Sequence, residues 1–120
     1  MIFSLPLPPS ANRMYRRSGH VIHKSAAYRD WLTQAGWEFA RQIKGHSTIR
    51  DKAAVELFIG PMHASRDADN VLKPVADFMQ QAQIIANDKL IRQWHVAADC
   101  PSIPRNTVMV TIREMGREAA

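Results

Sequence analysis

KAAVELFIG (52–60) and RDADNVLKPVADF (66–78) decide the fold, because an apolar, β-prone run is followed by a cluster of acids and then by a helical pattern. The first run predicts a central strand. The second predicts a helix to about Gln83, and its buried stripe consists of Val71, Leu72, Val75, Phe78, Met79 and Ala82. Pro74 has no backbone N–H and belongs in a first helical turn, so the helix should begin near Asn70. The acids therefore lie at the start of a helix that follows a strand.

The rest of the chain supplies strands and one further helix around this unit. The further predicted elements are a strand at 2–5, a hairpin from 14–17 and 20–24, a helix from the N-cap Ser25 to about Lys44 and closed by Gly45, and strands at 90–98 and 107–114. The order β-α-β-α-β-β predicts a single α+β domain over residues 1–120, with about four strands in a mixed sheet and two helices packed against it. We expect the last two strands to form an antiparallel pair.

Composition limits the class of protein. The chain has 120 residues and 46% apolar residues, which is ordinary for one globular domain. Its single cysteine excludes an internal disulfide and a Cys-based zinc cage, so we expect a reducing cytoplasm. No apolar run approaches the roughly 20 residues of a membrane helix, and the proline-interrupted start MIFSLPLPPS (1–10) does not predict a signal peptide.

Positive charge is concentrated near the N-terminus. The net charge is +5, which suits a polyanionic partner. The first 29 residues contain no acid and carry five cations, namely Arg13, Arg16, Arg17, Lys24 and Arg29. A basic arm beside a compact acidic cluster is the pattern that needs explaining.

The acid pair Asp67 and Asp69 predicts a cation site. If residues 66–69 are extended, both side chains point to one side with Cα atoms roughly 6–7 Å apart. Two facing carboxylates are unfavourable without a cation or proton between them, and hard oxygen ligands suit Mg²⁺ or Mn²⁺. Lys73 follows one helical turn after Asp69, where it could hold a phosphate oxygen. Asp88 is the candidate for a further carboxylate.

Each of these residues also has a structural interpretation. Asp67 and Asp69 could form a turn and a helix cap, and Asp88 a turn. Asp77 could favour the helix dipole or pair with Lys73, and Arg66 could balance the acids or contact phosphate. The histidines lack metal-ligand spacing, and the three tryptophans are interpreted mainly as core residues, namely Trp31, Trp37 and the partly exposed Trp94.

The motifs resemble those of the RusA family of Holliday-junction resolvases. RDADNVLKPVADF (66–78) is similar to that family's D-x-D-N-x-x-K-P-x-x-D signature, and further similar segments are PLPPSANRMYR (6–16), Ser25 to Asp30, and ANDKLI (86–91). The resemblance implies a homodimeric, Mg²⁺-dependent endonuclease, with Mn²⁺ as a possible substitute, that makes paired cuts in four-way junction DNA. It implies that Asp67, Asp69 and Asp88 bind the catalytic metal and that Lys73 is the catalytic lysine.

DNA contacts are expected on the basic arm and around the acids. The candidates are Arg13, Tyr15, Arg16, Arg17, Lys24, Arg66, Asn70, Lys73 and Lys89. The sequence departs from the family pattern at Ala68, where a larger apolar residue is usual, and at Gln83, where glycine is common. Two rival functions remain open, namely a metal-dependent nuclease for flap or fork DNA or RNA, and a DNA-binding module without catalysis.

Overall fold

The computed structural model describes residues 1–10, 13–63 and 66–116. Its strands are β1 Ile2–Pro6, β2 Tyr15–Ser18, β3 Val21–Lys24, β4 Ala53–Ile59, β5 Ile91–Ala97 and β6 Thr107–Glu114. Its helices are α1 Ala26–Gln42, a first 3₁₀ helix Ala68–Val71, α2 Leu72–Gln81 and a second 3₁₀ helix Asp88–Leu90. The predicted α+β class, with a four-stranded mixed sheet and two α-helices, is confirmed, and the hairpin forms from β2 and β3.

The sheet has the strand order β1-β6-β4-β5. β4 pairs in parallel with β5 on one side and antiparallel with β6 on the other. The expectation that β5 and β6 form an antiparallel pair is therefore wrong. The connection through α2 returns the chain to the same end of the sheet, so β5 runs parallel to β4, and β6 occupies the other side of β4. As a result β5 is an edge strand, and the two 3₁₀ helices lie in the connections from β4 to α2 and from α2 to β5.

One face of the sheet packs against α1 and α2. The predicted stripe of α1 is buried from Tyr28 to Phe39, and α2 buries Val75, Phe78 and Met79. The interpretation of Trp37 as a core residue is wrong, because its side chain is 74% exposed on the outer side of α1. Among the helices of the described residues, none is long and apolar enough to cross a membrane.

Ser25 attaches the basic hairpin to the helical layer. It is the N-cap of α1, as predicted, and its hydroxyl accepts a hydrogen bond from the backbone N–H of Tyr28. The same hydroxyl donates to the carbonyl of Arg13, and the Ser25 backbone N–H donates to the carbonyl of Met14. These bonds hold the start and end of the hairpin next to the first turn of α1.

Candidate active site

The first 3₁₀ helix carries the acid pair. Asp67 is its N-cap, with φ −98° and ψ 123°, and its carboxylate accepts a hydrogen bond of 3.1 Å from the backbone N–H of Asp69. The cation site was predicted on the condition that residues 66–69 are extended. This condition is wrong beyond Asp67, because Ala68–Val71 forms a 3₁₀ helix. The reason is that the carboxylate of Asp67 accepts a hydrogen bond from a backbone N–H of the following turn, which favours a helical start over an extended strand. Both acids are exposed, and α2 begins directly afterwards with Pro74 in its first turn.

Asp88 lies in an equivalent turn at the other end of α2. Asn87 is the N-cap of the second 3₁₀ helix and accepts from the backbone N–H of Lys89 at 2.9 Å. The Asp88 backbone N–H donates to Oε1 of Gln80 at 2.8 Å, which fixes the turn to the last part of α2. Gln83, where the family commonly has glycine, has a left-handed φ of 58°. The chain therefore forms this turn with a residue that is less suited to it than glycine.

The carboxylates fit a hard divalent cation by donor type. Within the described ranges no ion pair is formed by the side chain of Asp67, Asp69 or Asp88, so their oxygens are not occupied by a protein cation. Over the same residues, however, no group of three or more His, Cys, Asp or Glu side chains is close enough to hold a metal ion. The structure brings Asp67 and Asp69 together in one turn and leaves Asp88 in a separate one. The three-carboxylate site stays a prediction.

Lys73 is held by Asp77. Its Nζ lies 3.6 Å from Oδ1 of Asp77, one helical turn later, and within the described residues it makes no ion pair with Asp69. The other oxygen of Asp77, Oδ2, accepts a 2.7 Å hydrogen bond from the Tyr28 hydroxyl. Tyr28 is fully buried. Burial raises the pKa of its hydroxyl far above the usual range, and the hydrogen bond and charge of Asp77 raise this pKa further.

Two surface cavities meet at Lys73. The larger, of about 650 Å³, lies between the hairpin and α2 and is lined by Tyr15, Lys24, Lys73, Asp77, Gln80, Gln81, Gln83 and Ala86. The smaller, of about 390 Å³, lies between α2 and β5 and is lined by Leu72, Lys73, Ala76, Asp88, Lys89 and Trp94. Lys73 and Asp88 therefore share one cavity, and Lys73 also faces the basic hairpin.

Comparison with known proteins identifies the family. The model of the family described as endodeoxyribonuclease RusA matches residues 6–113. The chain belongs to the RusA endodeoxyribonuclease family. A similar protein, named crossover junction endodeoxyribonuclease RusA, is that of Aquifex aeolicus, which is 36% identical over 76% of this chain and 71% of the relative. Proteins of the same name from Escherichia coli O139:H28 and Enterobacteria phage 82 are each 32% identical over 96% of this chain and 95% of their own length.

The candidate DNA contacts of this RusA-family chain lie in two groups. On the hairpin, Arg16 and Arg17 are exposed on β2. The Tyr15 ring packs edge-on against Tyr28 with centroids 5.8 Å apart, and Nζ of Lys24 lies 5.9 Å from the centroid of the Tyr28 ring. The hairpin cations are thus next to the buried tyrosine that holds Asp77. Arg13, just before the hairpin, is also exposed.

The second group lies around the acids. Arg66 is half-buried and donates from Nη2 to the carbonyl of Pro8 at 2.7 Å, and burial lowers the pKa of its guanidinium. Arg66 thus ties the acidic turn to the N-terminal segment instead of balancing the acids by an ion pair. The Asn70 backbone N–H donates to the Asp67 carbonyl within the first 3₁₀ helix, and Lys89 is exposed in the second.

Sequence reasoning missed Tyr28 and Trp94 as site residues. The pairing of Asp77 with Lys73 was an open alternative and is confirmed, because the spacing of four residues on a helix brings the two side chains together. Tyr28 lies 49 residues before Asp77 and reads as an ordinary member of the α1 stripe, so periodicity gives no signal for the contact. Trp94 carries a weak signal, namely a large aromatic residue in a strand that directly follows Asp88.

Proposed function

We propose that this chain is a Mg²⁺-dependent endonuclease that resolves four-way DNA junctions by paired, symmetric hydrolysis of phosphodiester bonds in recombination and repair. The observation that carries the proposal is the position of Lys73 in the first turn of α2, directly after the turn of Asp67 and Asp69 and in the same cavity as Asp88. Membership of an endodeoxyribonuclease family supports the same reaction. Acting on DNA would place the enzyme in the cytoplasm.

The proposed metal ligands are Asp67, Asp69 and Asp88. All three offer carboxylate oxygens, which are the ligands that Mg²⁺ prefers, and Mn²⁺ would be a substitute of the same donor preference. When bound, the ion would neutralise phosphate charge and make water a better nucleophile. The two carboxylates of the acidic turn are exposed and carry no ion pair within the described residues, so they can accept a cation without first breaking an ion pair.

Lys73 stabilises the charge that develops on the phosphate. Its ammonium is exposed, so it can reach an oxygen of a bound phosphodiester. Asp77 limits the positions of this ammonium through the 3.6 Å ion pair, and Tyr28 fixes Asp77 from the buried side. A positioned cation loses less conformational freedom when the transition state forms than a free lysine does.

The basic hairpin guides the DNA backbone towards Lys73. Arg16, Arg17 and Lys24 are exposed, and the cavity of about 650 Å³ runs from Lys24 to Lys73. Contacts of this kind are made to phosphates, so they read the shape of the junction more than its base sequence.

We also propose that the enzyme acts as a homodimer. A four-way junction has two-fold symmetry, and a two-fold dimer would present one active site to each of two opposed strands. One subunit carries one set of Asp67, Asp69, Asp88 and Lys73, so paired cutting by one subunit would need two separate events.

A synthetic four-way junction tests the reaction. Each of its four strands is labelled in turn and incubated with the protein and Mg²⁺, with EDTA as the control. We expect paired cuts at symmetric positions in two opposed strands with Mg²⁺ and none with EDTA. Binding without cleavage under Mg²⁺ or Mn²⁺ would support the DNA-binding module, and equal cutting of flaps, forks or RNA would support the less selective nuclease.

A further inference from the structure

We propose that the cavity between α2 and β5 binds a nucleobase adjacent to the cleaved phosphate, with the indole of Trp94 as the stacking surface. The inference rests on the proposed function, since it assigns part of the same DNA substrate to a second cavity beside Lys73. It adds a base-binding site to a set of residues that otherwise contact metal and phosphate.

The cavity has the size and polarity that a base requires. Its volume of about 390 Å³ lies within the range of small-molecule sites. The apolar residues that line it are Leu72 and Ala76 on α2 and Trp94 on β5, and the charged ones are Lys73, Lys89 and Asp88. A cavity that combines an aromatic and aliphatic lining with two lysines matches a nucleotide, which joins a flat aromatic base to a charged phosphate, while Asp88 in the same lining is one of the proposed metal ligands.

Trp94 differs from the tryptophan that stabilises the core. Trp31 is 5% exposed, and its Nε1–H donates to the Pro6 carbonyl at 2.9 Å. Trp94 is 36% exposed, and its indole has neither a hydrogen-bond partner nor a packed aromatic ring among the described residues. Because no described aromatic ring packs on it, the partly exposed indole of Trp94 is available to stack with a ligand.

The position of Trp94 in the sheet keeps this surface open. It pairs with Val55 of β4 on the face that carries the helices, where Val55 is buried. Because β5 is the edge strand, no further strand covers Trp94 on its outer side within the described part of the chain. The indole thus lines the cavity together with Leu72 and Ala76 of α2, and its exposed surface is the one that we assign to the base.

Lys73 fixes the place of the base relative to the chemistry. It lines both this cavity and the one that leads from the hairpin. A phosphate held by Lys73 therefore has the hairpin on one side and Trp94 on the other, so the base at Trp94 belongs to a nucleotide next to the cleaved bond.

Paired changes in protein and substrate test the proposal. Junctions carry an abasic position immediately 5′ or 3′ of the cleaved bond, and cleavage is compared for the wild type, Trp94→Ala, Trp94→Phe and the control Trp37→Ala, which alters an exposed tryptophan of α1. Stacking on one base predicts a loss of kcat/KM of roughly 5- to 150-fold for Trp94→Ala and for one abasic junction. The two losses should not multiply when combined, and Trp94→Phe should retain most of the activity.

A binding readout separates this proposal from the proposed function. A 2-aminopurine at the same position should change its emission when the wild type or Trp37→Ala binds in EDTA, and this change should be lost with Trp94→Ala. Multiplying losses, or a Trp94→Ala enzyme as active as the wild type, would overturn the base site while leaving the nuclease intact. Absence of any cleavage together with a Trp94-dependent emission change would instead overturn the nuclease alone. Conversion of a dimer to a monomer by Trp94→Ala, measured by light scattering, would make Trp94 a subunit contact and would also overturn the base site.

Discussion

Two groups of charged side chains flank the first turn of α2, and they are built in opposite ways. On one side Asp67 and Asp69 are exposed in one turn, and their charges are not balanced by an ion pair within the described residues. On the other side Lys73 is paired with Asp77, and Asp77 is hydrogen-bonded to the buried Tyr28. The acids are held by the backbone of their turn, whereas the lysine is held by a chain of side chains that reaches the core.

Because the acids and the lysine are held in different ways, their substitution should affect cleavage and stability differently. Two nearby carboxylates without a cation repel each other, and this repulsion opposes the stabilisation that Asp67 provides as an N-cap. The Tyr28–Asp77–Lys73 chain stabilises the fold and also holds the ammonium for which we propose a role in cleavage. Substitution of Asp69, which is not the cap, should therefore affect cleavage without loss of stability, and substitutions on the lysine side should affect both.

Asp69→Asn should have the largest effect. The change removes one charge and preserves the shape of the side chain, so we expect cleavage to fall by at least about 100-fold. Junction binding in EDTA should be unchanged, and the melting temperature should be equal or slightly higher because the repulsion with Asp67 is relieved. Gel cleavage, binding and thermal melts on one preparation measure all three. A lowered melting temperature with lost binding would make Asp69 a structural residue.

Asp77→Ala, in contrast to Asp69→Asn, should lower the stability of the fold. It leaves the buried Tyr28 hydroxyl without its acceptor, so the free energy of unfolding should fall by about 1–3 kcal/mol. Asp77→Asn is the matched control, since it keeps an acceptor for Tyr28 and loses only the charge that attracts Lys73. We expect Asp77→Asn to be closer to the wild type in urea unfolding and still slower in cleavage. Equal destabilisation by both variants would show that the tyrosine hydrogen bond contributes little.

Gln83→Gly should stabilise the turn that leads to Asp88. A left-handed conformation is unfavourable by roughly 1–2 kcal/mol for residues other than glycine, so relief at Gln83 should raise the free energy of unfolding by about 1 kcal/mol after the entropy of glycine is included. Asn106→Gly is the control, because Asn106 has the same φ of 58° but asparagine tolerates it better. No gain in the free energy of unfolding with Gln83→Gly would mean that the loop carrying Asp88 is not strained by its glutamine, whereas an equal gain at Asn106 would mean that the strain is not specific to glutamine.

Local features of the fold were predictable where one residue type determines the backbone. Pro74 placed the start of α2, Ser25 placed the cap of α1, and the alternation of 107–114 gave β6 its observed bounds. Strand neighbours were not predictable in this way. The pairing of β4 with both β5 and β6 depends on the packing of α2, and periodicity within a strand carries no record of its partners.

The site shows the same division. The acids and Lys73 could be selected from spacing and charge, because both are local properties of 66–78. The 3₁₀ helix Ala68–Val71 was not predictable, since hydrogen bonds from short polar side chains to the backbone compete with an extended conformation. The ion pair of Lys73 with Asp77 could not be selected either, because acids both precede and follow Lys73 at helical spacing. The contact of Tyr28 with Asp77 required the packing of α1 beside α2, which only the folded chain supplies.

The pH dependence of the free energy of unfolding at alkaline pH should depend directly on the ionisation of Tyr28. Burial raises the pKa of its hydroxyl in the folded protein, whereas in the unfolded chain tyrosine titrates near pH 10. Below about pH 10 both states keep the proton and the contribution of Tyr28 is complete. Above it only the unfolded chain releases the proton, so stability falls with pH by up to about 1.4 kcal/mol per unit.

Tyr28→Phe should remove this part of the slope, and Tyr15→Phe should not. Tyr15 is the other tyrosine of the chain and is half-buried at the mouth of the larger cavity, so it is the matched control for phenol chemistry without the bond to Asp77. The readout is the free energy of unfolding in urea between about pH 9 and pH 11. Equal slopes for the wild type and Tyr28→Phe would mean that the phenol ionises in the folded state. The hydrogen bond from Tyr28 to Asp77 would then be broken, and Asp77 and Lys73 would not be held by the core. A flatter slope for Tyr28→Phe alone would show that the fold holds Asp77 by a neutral, buried donor, so that the negative charge of Asp77 remains for Lys73.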